Sequence, residues 1–406
     1  MTPRNRIVAT LNHTEPDKIP LDLGGTSVSG IQAVAYGKLK TALGISDGDI
    51  RVYDCVQQLA LVEDQVRAVL HVDTKNVVPA KLSKWRNGVM PDGNPCLYPA
   101  DFLPETLPDG SKVTRDRKGM WGDNEEGAVT LHMPTGGFYY AMPYHPLANA
   151  KSKEDIDSFP LFWRMDAETA SELQQNLDTA LRATDYAIVV ETWTGGWAGN
   201  YEIFQLLRGW DTFLVDLVAD PEFARYMLEV RLEAVLKRWD QMLKILGDVP
   251  QVVCIGDDLG LQDGPQISPE VYRKIIKPIH RKFVSFIKSR TKSKILIHTC
   301  GSVYKLIPDL IEVGIDILNP VQVSARDMHS GRLKKEFGKD IVFWGGFDTQ
   351  WVLPFGQVED VRDEVKRIID DFAPGGGFVF NTVHNIQHDV PVENLLAMFE
   401  TFEKYR

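Results

Sequence analysis

The sequence lacks the long apolar runs that a membrane-spanning helix requires. No stretch of roughly 18 or more consecutive apolar residues occurs among the 406 residues, which excludes a transmembrane helix. The start of the chain also lacks the apolar core of a secretory signal peptide. We therefore expect a cytoplasmic protein with no membrane partner.

Cysteine and positive charge are also scarce. The four cysteines, Cys55, Cys96, Cys254 and Cys300, are too scattered for a disulfide framework. The net charge is −11, from 45 basic and 56 acidic residues. The richest basic stretch, Lys274–Lys294, is interleaved with apolar residues at helical spacing, which favours the solvated face of a helix over a nucleic-acid groove. The glycine-rich stretches lack the spacing of dinucleotide or Walker phosphate loops. These absences exclude a nucleic-acid-binding protein and a nucleotide-binding fold of either type.

What recurs along the chain is a short apolar run followed by an amphipathic helix. Such alternation indicates parallel strands that are buried on both faces. Eight runs predict a (β/α)8 TIM barrel, with an open doubly wound sheet as the alternative. The predicted strands are Ile19–Gly25, Lys75–Ala80, Tyr186–Glu191, Gln251–Gly256, Lys294–His298, Ile315–Pro320, Ile341–Gly346 and Gly377–Asn381.

Two segments depart from this alternation. An N-terminal helical extension, Arg4–Leu11, precedes the first strand. Residues 84–144 are rich in Gly, Pro, Asp and aromatic residues without helical periodicity, which predicts hairpins and loops. We interpret residues 1–406 as a single barrel domain, with 84–144 an insertion subdomain between strands two and three. We expect the insertion to lie over one end of the barrel.

The pattern His298-x-Cys300 ends the fifth predicted strand. Residues two apart on an extended segment point the same way, and imidazole nitrogen and thiolate sulfur are ligands that zinc prefers. His384, beyond the eighth strand, is the candidate third ligand. Three protein ligands with one open position are typical of catalytic zinc. The alternative is a buried cysteine beside a hydrogen-bonded histidine.

Other polar and aromatic side chains follow the predicted strands, where the active residues of barrels lie. We predict Asp257 and Glu191 as catalytic residues, with Asp257 also a candidate loop or cap residue. Both are candidates for the fourth zinc position, as are water and substrate. Aromatic side chains often line small-molecule sites, although packing at the barrel rim is an alternative. The predicted substrate-binding residues are Trp193, Trp197, Asn319, Trp344 and Asp348.

Several of these segments carry a family likeness. FNTVHNIQHDVPVENL (Phe380–Leu395) resembles the signature of the uroporphyrinogen decarboxylase superfamily. The segments GDDLGLQDGPQISPEVYRKIIKP and WGGFDTQ are similar to its cobalamin-related methyltransferase branch, and RIVATLNHTEPDKIPLDLGG resembles the usual opening. The resemblance covers most of the chain except the insertion. It implies a (β/α)8 barrel.

The resemblance to the branch also implies a function. Decarboxylases carry R-Q-A-G-R after strand one, where this chain reads Leu21-Asp22-Leu23-Gly24-Gly25-Thr26 without arginine. A polyanionic tetrapyrrole is therefore an implausible substrate. The methyltransferase branch binds zinc through H-x-C and a third residue, usually cysteine, at the position of His384. Imidazole can replace that cysteine.

The resemblance therefore implies a zinc-dependent methyltransferase. It would move a methyl group between a small molecule and the corrinoid cofactor (methylcobalamin or cob(I)alamin) of a separate corrinoid protein. This chain lacks the corrinoid-binding motif D-x-H-x-x-G. The tryptophans favour a methoxylated aromatic donor and hence O-demethylation. A metal-free lyase and a non-catalytic tetrapyrrole-binding protein are the alternatives, and a homodimer is left open.

Overall fold

Seven parallel strands form one curled sheet. The computed structural model describes residues 1–115, 127–159, 165–183, 185–191 and 199–406. Within these ranges the sheet pairs its strands in chain order. The strands are β1 (Thr74–Val77), β2 (Ala187–Glu191), β3 (Val252–Gly256), β4 (Lys294–His298), β5 (Ile317–Asn319), β6 (Val342–Phe347) and β7 (Phe378–Thr382).

Each of these strands lies within two residues of a predicted one at either end, apart from β1, which ends three residues early. Both faces of the sheet are covered, so the strands read as nearly continuous apolar runs. Helices lie between consecutive strands in the chain, and all strand pairs of this sheet are parallel. The predicted TIM-barrel-like α/β fold is confirmed.

The prediction of a first strand at Ile19–Gly25 is wrong. The structure has there only an isolated parallel bridge between Leu21 and Phe380. The segment still contacts both edges of the sheet, because Asp22 N donates to Phe380 O at 2.9 Å and Asp73 N donates to Leu21 O at 2.8 Å. A regular strand does not form because Pro20 has no N–H, and Leu21 N donates to the Asp73 side chain at 2.9 Å.

The inside of the barrel changes character along its axis. Its lower part is an apolar cluster that includes Val189, Leu296 and Val379. Ile7 and Leu11 of the N-terminal helix belong to the same cluster, so this helix closes the N-terminal end. Because side chains alternate along a strand, the residues two positions beyond Val189, Leu296, Ile317 and Val379 also point inward. Asn76 contacts one of them, Glu191, and Asp22 contacts the buried Trp344. We call these six residues the polar ring: Asp22, Asn76, Glu191, His298, Asn319 and Asn381.

Fifteen α-helices are described. No helix among the described residues is both long enough and apolar enough to cross a bilayer.

A π-helical segment, Tyr272–Ile276, precedes Pro278, at which a kink is predicted. The α-helices are Pro3–Leu11, Ala33–Ala42, Asp64–Leu70, Lys153–Ser158, Ala167–Ala183, Glu202–Arg208, Trp210–Ala219, Pro221–Leu246, Pro269–Val271, Lys277–Lys288, Ile307–Val313, Ser330–Phe337, Val352–Phe355, Val358–Phe372 and Val392–Tyr405.

The remaining strands are short and antiparallel. Five of them lie within the predicted insertion 84–144, as one pair and one group of three. The separation of this region as a subdomain stays a prediction. The short strands are Val52–Asp54, Leu59–Ala60, Trp85–Val89, Pro95–Pro99, Glu105–Thr106, Lys112–Thr114, Leu131–Met133, Gly260–Leu261 and Gly264–Pro265.

Candidate metal centre

His298 is the last residue of β4 and is held in one orientation. Its Nδ1 lies 2.6 Å from Asn319 Oδ1. The Asn319 amide is itself oriented, because its Nδ2 donates to Trp344 O at 2.9 Å. An amide oxygen only accepts hydrogen bonds, so Nδ1 carries the proton. The lone pair is therefore on Nε2, which lies 3.4 Å from Cys300 Sγ.

The structure brings the three predicted ligands together. Ligand atoms of His298, Cys300 and His384 all lie within 4.8 Å of one another. Burial, together with the charge of His298, lowers the pKa of His384 to about 4. Burial also lowers the pKa of His298. Both imidazoles are therefore neutral at physiological pH, which is the form that binds a metal.

Two carboxyl groups surround the thiol. Asp258 Oδ1 accepts a hydrogen bond from Cys300 N at 2.7 Å and lies 3.9 Å from His298 Nε2. Burial and the charges of Asp258 and Glu202 raise the pKa of the Cys300 thiol well above its ordinary value. The cluster therefore has neutral nitrogen donors, a thiol and the carboxylate of Asp258. A divalent cation fits this donor set, since it would offset the charge and bind the thiolate.

The sequence interpretation missed Glu202. It lies in the first turn of the Glu202–Arg208 helix. Burial and the charges of Asp258 and Asp257 raise its pKa well above the ordinary value. These surroundings favour the protonated form of the Glu202 carboxyl. No strand-end motif marked this residue, because it reaches the site from a helix that follows β2 by several residues.

Asp257, predicted as catalytic, lies beneath the start of that helix. Its Oδ1 accepts from Tyr201 N at 2.9 Å and Glu202 N at 2.8 Å. Its Oδ2 lies 3.1 Å from Asn200 N and 2.8 Å from His280 Nε2. Four donors thus surround a carboxylate that is 2% exposed. In this arrangement Asp257 positions the helix that carries Glu202.

Glu191, the other predicted catalytic residue, ends β2 and is fully buried. Its two oxygens accept from Ser27 N at 2.7 Å and Ser27 Oγ at 2.5 Å. Burial raises the pKa of Glu191 to about 8. The side chain belongs to the polar ring and carries a proton over most of the physiological range.

The predicted substrate-binding residues have different surroundings. Asn319 contacts His298, as described. Trp344 is fully buried in the barrel interior, and its Nε1 donates to Asp22 Oδ2 at 2.8 Å. Asp348 Oδ1 accepts from the backbone N–H groups of residues 350, 351 and 352, at the start of a short helix. Trp193 and Trp197 lie outside the described residues, and their roles stay predictions.

A segment of the insertion reaches the carboxyl end of the barrel. We call residues 134–141 the strap. Phe138 stacks on His388 with ring centroids 3.5 Å apart. Tyr139 OH donates to Gln57 Oε1 at 2.6 Å, and the same oxygen accepts from Asn385 Nδ2 at 2.7 Å. Since Asn385 follows His384 directly, the strap is tied to the loop that carries the third ligand.

The hydroxyl of Tyr139 lies within electrostatic range of the metal centre. Burial, followed by the charges of Asp54, Cys300, Glu202 and Asp258, raises the pKa of Tyr139. The side chain nevertheless remains 42% exposed. Tyr139 therefore lies at the mouth of the site. It contacts solvent there and is near enough to the cluster for the cluster's charges to raise its pKa.

Comparison with protein families identifies the chain. A sequence model described as uroporphyrinogen decarboxylase (URO-D) matches residues 192–405, just over half of the chain. A uroporphyrinogen decarboxylase from Geobacter metallireducens is 26% identical over 139 residues, which cover 34% of this chain and 38% of the relative. A methylated-thiol–coenzyme M methyltransferase from Methanosarcina mazei is 27% identical over 131 residues, covering 32% of each.

The chain thus spans between about a third and a half of the length of the curated relatives it matches. Among solved structures, a methyltransferase from Methanosarcina mazei aligns over 100% of this chain and 99% of its own, with a TM-score of 0.59. The two sequences are 17% identical. This likeness supports the barrel fold.

Proposed function

The chain belongs to the uroporphyrinogen decarboxylase family, and on that premise we propose that it is a zinc-dependent methyltransferase. It moves a methyl group between a small molecule and the corrinoid of a separate protein. The observation that carries the proposal is the cluster of His298, Cys300 and His384 at the carboxyl end of the barrel. The name of the methyltransferase relative from Methanosarcina mazei supports the same class of reaction.

Decarboxylation of a tetrapyrrole fits these residues poorly. Such a substrate carries several carboxylates, which proteins bind with arginine or lysine. The segment Leu21–Thr26 contains neither residue type. The polar ring, as far as the structure describes it, is made of asparagine, histidine and acidic side chains. The site therefore favours a neutral substrate.

His298, Cys300 and His384 would hold the metal. When bound there, zinc would supply a Lewis acid that stabilises a thiolate or polarises an ether oxygen. Asn319 fixes the His298 tautomer that presents Nε2, as ligating histidines usually require. Asp257 positions the helix start that carries Glu202.

Glu202 supplies the proton in the demethylating direction. A methyl ether that gives its methyl group to cob(I)alamin leaves an alkoxide or phenoxide, which takes up one proton to give the alcohol or phenol. Burial and the neighbouring carboxylates raise the pKa of Glu202 and so favour the protonated carboxyl that this step uses. General-acid groups of this kind act when their pKa lies near or above the working pH.

We favour a methoxylated aromatic donor and therefore O-demethylation. Of the tryptophans that first suggested this donor, Trp344 is fully buried in the barrel interior. The aromatic group that supports the proposal now is Tyr139, half-exposed at the mouth of the site. Aromatic side chains commonly line pockets for small molecules.

A corrinoid protein would approach the same end of the barrel. Leu261 and the pair Trp351 and Phe355 follow β3 and β6 at that end and are 45%, 68% and 67% exposed. Exposed apolar side chains of this size are typical of surfaces that bind a protein partner when they are grouped.

The first test measures metal and methyl transfer together. Protein purified without chelator is analysed by mass spectrometry, beside Cys300→Ala, His384→Ala and the control Cys96→Ala, whose cysteine lies in the Pro95–Pro99 strand. We expect about one zinc per chain in the wild type and the control, and little in the two ligand variants. Methyl transfer from methoxyarenes to cob(I)alamin, followed by absorbance, should be lost with the metal.

Two results would contradict the proposal. One is folded wild-type protein that contains no zinc and binds none when zinc is added. The other is a zinc-loaded enzyme that methylates no corrinoid from any ether, thiol or methylamine donor. The second result would reject the methyltransferase function but would still support the zinc site.

A further inference from the structure

The polar ring contains two asparagines with opposite surroundings. Asn319 uses its oxygen for His298 Nδ1 and its nitrogen for Trp344 O. Asn381 is 2% exposed, and neither its Oδ1 nor its Nδ2 has a partner among the described residues. An amide buried without hydrogen bonds destabilises a fold. Such a residue is expected where a ligand supplies the missing partners.

Asn381 lies in the part of the barrel that the substrate would reach. It follows Val379 by two residues on β7, and Val379 belongs to the interior cluster, so Asn381 also points inward. Its register partner on β6 is Gly346, which places no side chain beside it. His384, the third ligand, is three residues further along the chain. One small molecule can therefore contact both Asn381 and the metal centre.

The charges around Asn381 define the ligand class. The described part of the polar ring contains no lysine or arginine. Two of its members are acids, Asp22 and Glu191, and burial raises the pKa of both. A carboxylate beside Asn381 would meet no lysine or arginine of this ring and would lie near two acidic side chains. A primary amide instead complements a neutral group that both donates and accepts a hydrogen bond.

We propose that Asn381 is a binding residue for an uncharged hydroxyl group of the substrate, such as a phenol, and that it selects against a carboxylate at the same position. This inference rests on the proposed function, since it names the substrate class of that site. It predicts a donor that carries a methoxy group for transfer and a free hydroxyl for recognition.

Binding is tested with a matched pair of probes, 2-methoxyphenol and 2-methoxybenzoate. Isothermal titration calorimetry on the zinc-loaded protein, with no corrinoid present, separates recognition from methyl transfer. We expect the wild type to bind the phenol at least about tenfold more tightly than the benzoate when each methoxy group faces the metal, because a carboxylate at Asn381 then meets no lysine or arginine of the polar ring. Equal binding, or tighter binding of the benzoate, would overturn the proposed class.

Two substitutions at Asn381 test the residue itself. Asn381→Leu removes the amide at similar volume and should weaken phenol binding by about tenfold. Asn381→Asp keeps the shape and accepts the phenol's hydrogen bond, so phenol binding should stay within a few-fold while benzoate binding is lost. Unchanged phenol affinity in Asn381→Leu would mean that water alone meets this amide, and would overturn the assignment.

Thermal unfolding distinguishes a binding role from a structural one. Asn381→Leu should unfold at the same temperature as the wild type or higher, because it removes an unpartnered buried amide. The matched variant Asn319→Leu should unfold at a lower temperature, because it leaves His298 Nδ1 and Trp344 O without partners. A clear fall in the unfolding temperature of Asn381→Leu would show that Asn381 is structural and would contradict the proposal.

The outcome also separates this inference from the proposed function. Asn381-dependent phenol binding without methyl transfer to cob(I)alamin would retain the binding site and reject the methyltransferase. Methyl transfer that is unchanged in rate and affinity by Asn381→Leu would retain the methyltransferase and reject the binding residue.

Discussion

The two ends of the barrel treat buried charge in opposite ways. At the N-terminal end, Asp73 is paired with both Arg6 and Arg406, and Arg6 also binds Asp17. At the carboxyl end, the buried Glu191 accepts hydrogen bonds, within the part of the chain that the structure describes, from the neutral donors of Ser27 and Asn76. One end satisfies its charges with opposite charges. The other raises the pKa of Glu191 by burial and leaves the Asn381 amide without a partner among the described residues, which costs stability where chemistry is expected.

Glu191 should show the largest effect of this difference, as a loss of stability with rising pH. Its pKa rises from 4.5 in the unfolded chain to about 8 in the fold, so the folded state binds the extra proton between these values. Stability contributed by this group therefore falls as pH rises from 4.5 to 8 and levels off above, by up to roughly 5 kcal/mol.

The comparison of wild type with Glu191→Gln isolates that slope, since glutamine does not titrate. Urea unfolding at several pH values should give a difference in free energy that changes across the window from about 4.5 to 8. Asp17 should change the free energy of unfolding in the opposite direction. Its hydrogen bond to Arg6 lowers its pKa, so the stability that it contributes is lost as pH falls. A pH-independent difference between wild type and Glu191→Gln would contradict the assignment.

Arg6→Met should have the next largest effect, at the N-terminal end. The change leaves Asp73, which is 1% exposed, with Arg406 as its remaining charged partner. Breaking a buried ion pair by removing one member typically costs about 3–5 kcal/mol. Lys18→Met, which removes an exposed pair with Glu403, should cost about 0–1 kcal/mol.

Urea unfolding followed by circular dichroism measures both variants at neutral pH. Zinc content and methyl transfer per folded molecule should be unchanged in Arg6→Met, because the network lies at the opposite end of the barrel from the metal centre. Equal stabilities of Arg6→Met and Lys18→Met would show that the N-terminal network does not support the fold.

Glu202→Gln should have the opposite effect to Arg6→Met. It should lower activity without lowering stability. Loss of a general acid typically lowers the rate by about 100-fold or more. Stability should stay the same or rise, because burial and Asp258 already disfavour the charged form. The matched control is Glu222→Gln, since Glu222 also lies in the first turn of a helix but is exposed.

The measurement for Glu202 is the rate of methyl transfer to cob(I)alamin, with zinc content and unfolding temperature on the same samples. A variant that keeps its zinc and its full rate would remove Glu202 from the proton transfer. A variant that loses zinc would place Glu202 among the groups that hold the metal.

The sequence predicted the barrel because buried parallel strands leave a signal that depends only on neighbouring residues. The strand-end pattern also singled out His298 and Cys300, whose ligand atoms the structure places within 4.8 Å of each other and of those of His384. The first strand was wrong because a side chain 52 residues away, Asp73, takes the Leu21 N–H. No local pattern records such a contact.

Glu202 and Asn381 show where residue-level prediction ends. The role proposed for Glu202 requires it to lie near Cys300, and its placement depends on how Asp257 holds a helix start. Asn381 was visible as a polar strand end, but its lack of partners emerges only when every neighbour is placed. Both features follow from tertiary packing, which neither composition nor periodicity describes.

The strap should show the smallest effect. Tyr139→Phe removes one hydrogen bond, to Gln57, and keeps the aromatic ring. A single neutral hydrogen bond contributes about 0.5–1.5 kcal/mol, so we expect a several-fold rise in KM for a methoxyarene with little change in kcat or zinc content. The control is Tyr405→Phe, since Tyr405 is exposed on the C-terminal helix.

Phe138→Ala tests the same strap from its other contact. It removes the ring that stacks on His388 and keeps the Tyr139 hydroxyl, so it should raise KM by a similar factor if the strap acts as one unit. Should both variants leave KM unchanged while unfolding at lower temperature, the strap would belong with the N-terminal end as a stabilising element. A rise in KM without a fall in unfolding temperature would place the strap with the carboxyl end, because the strap would then support substrate binding and not stability.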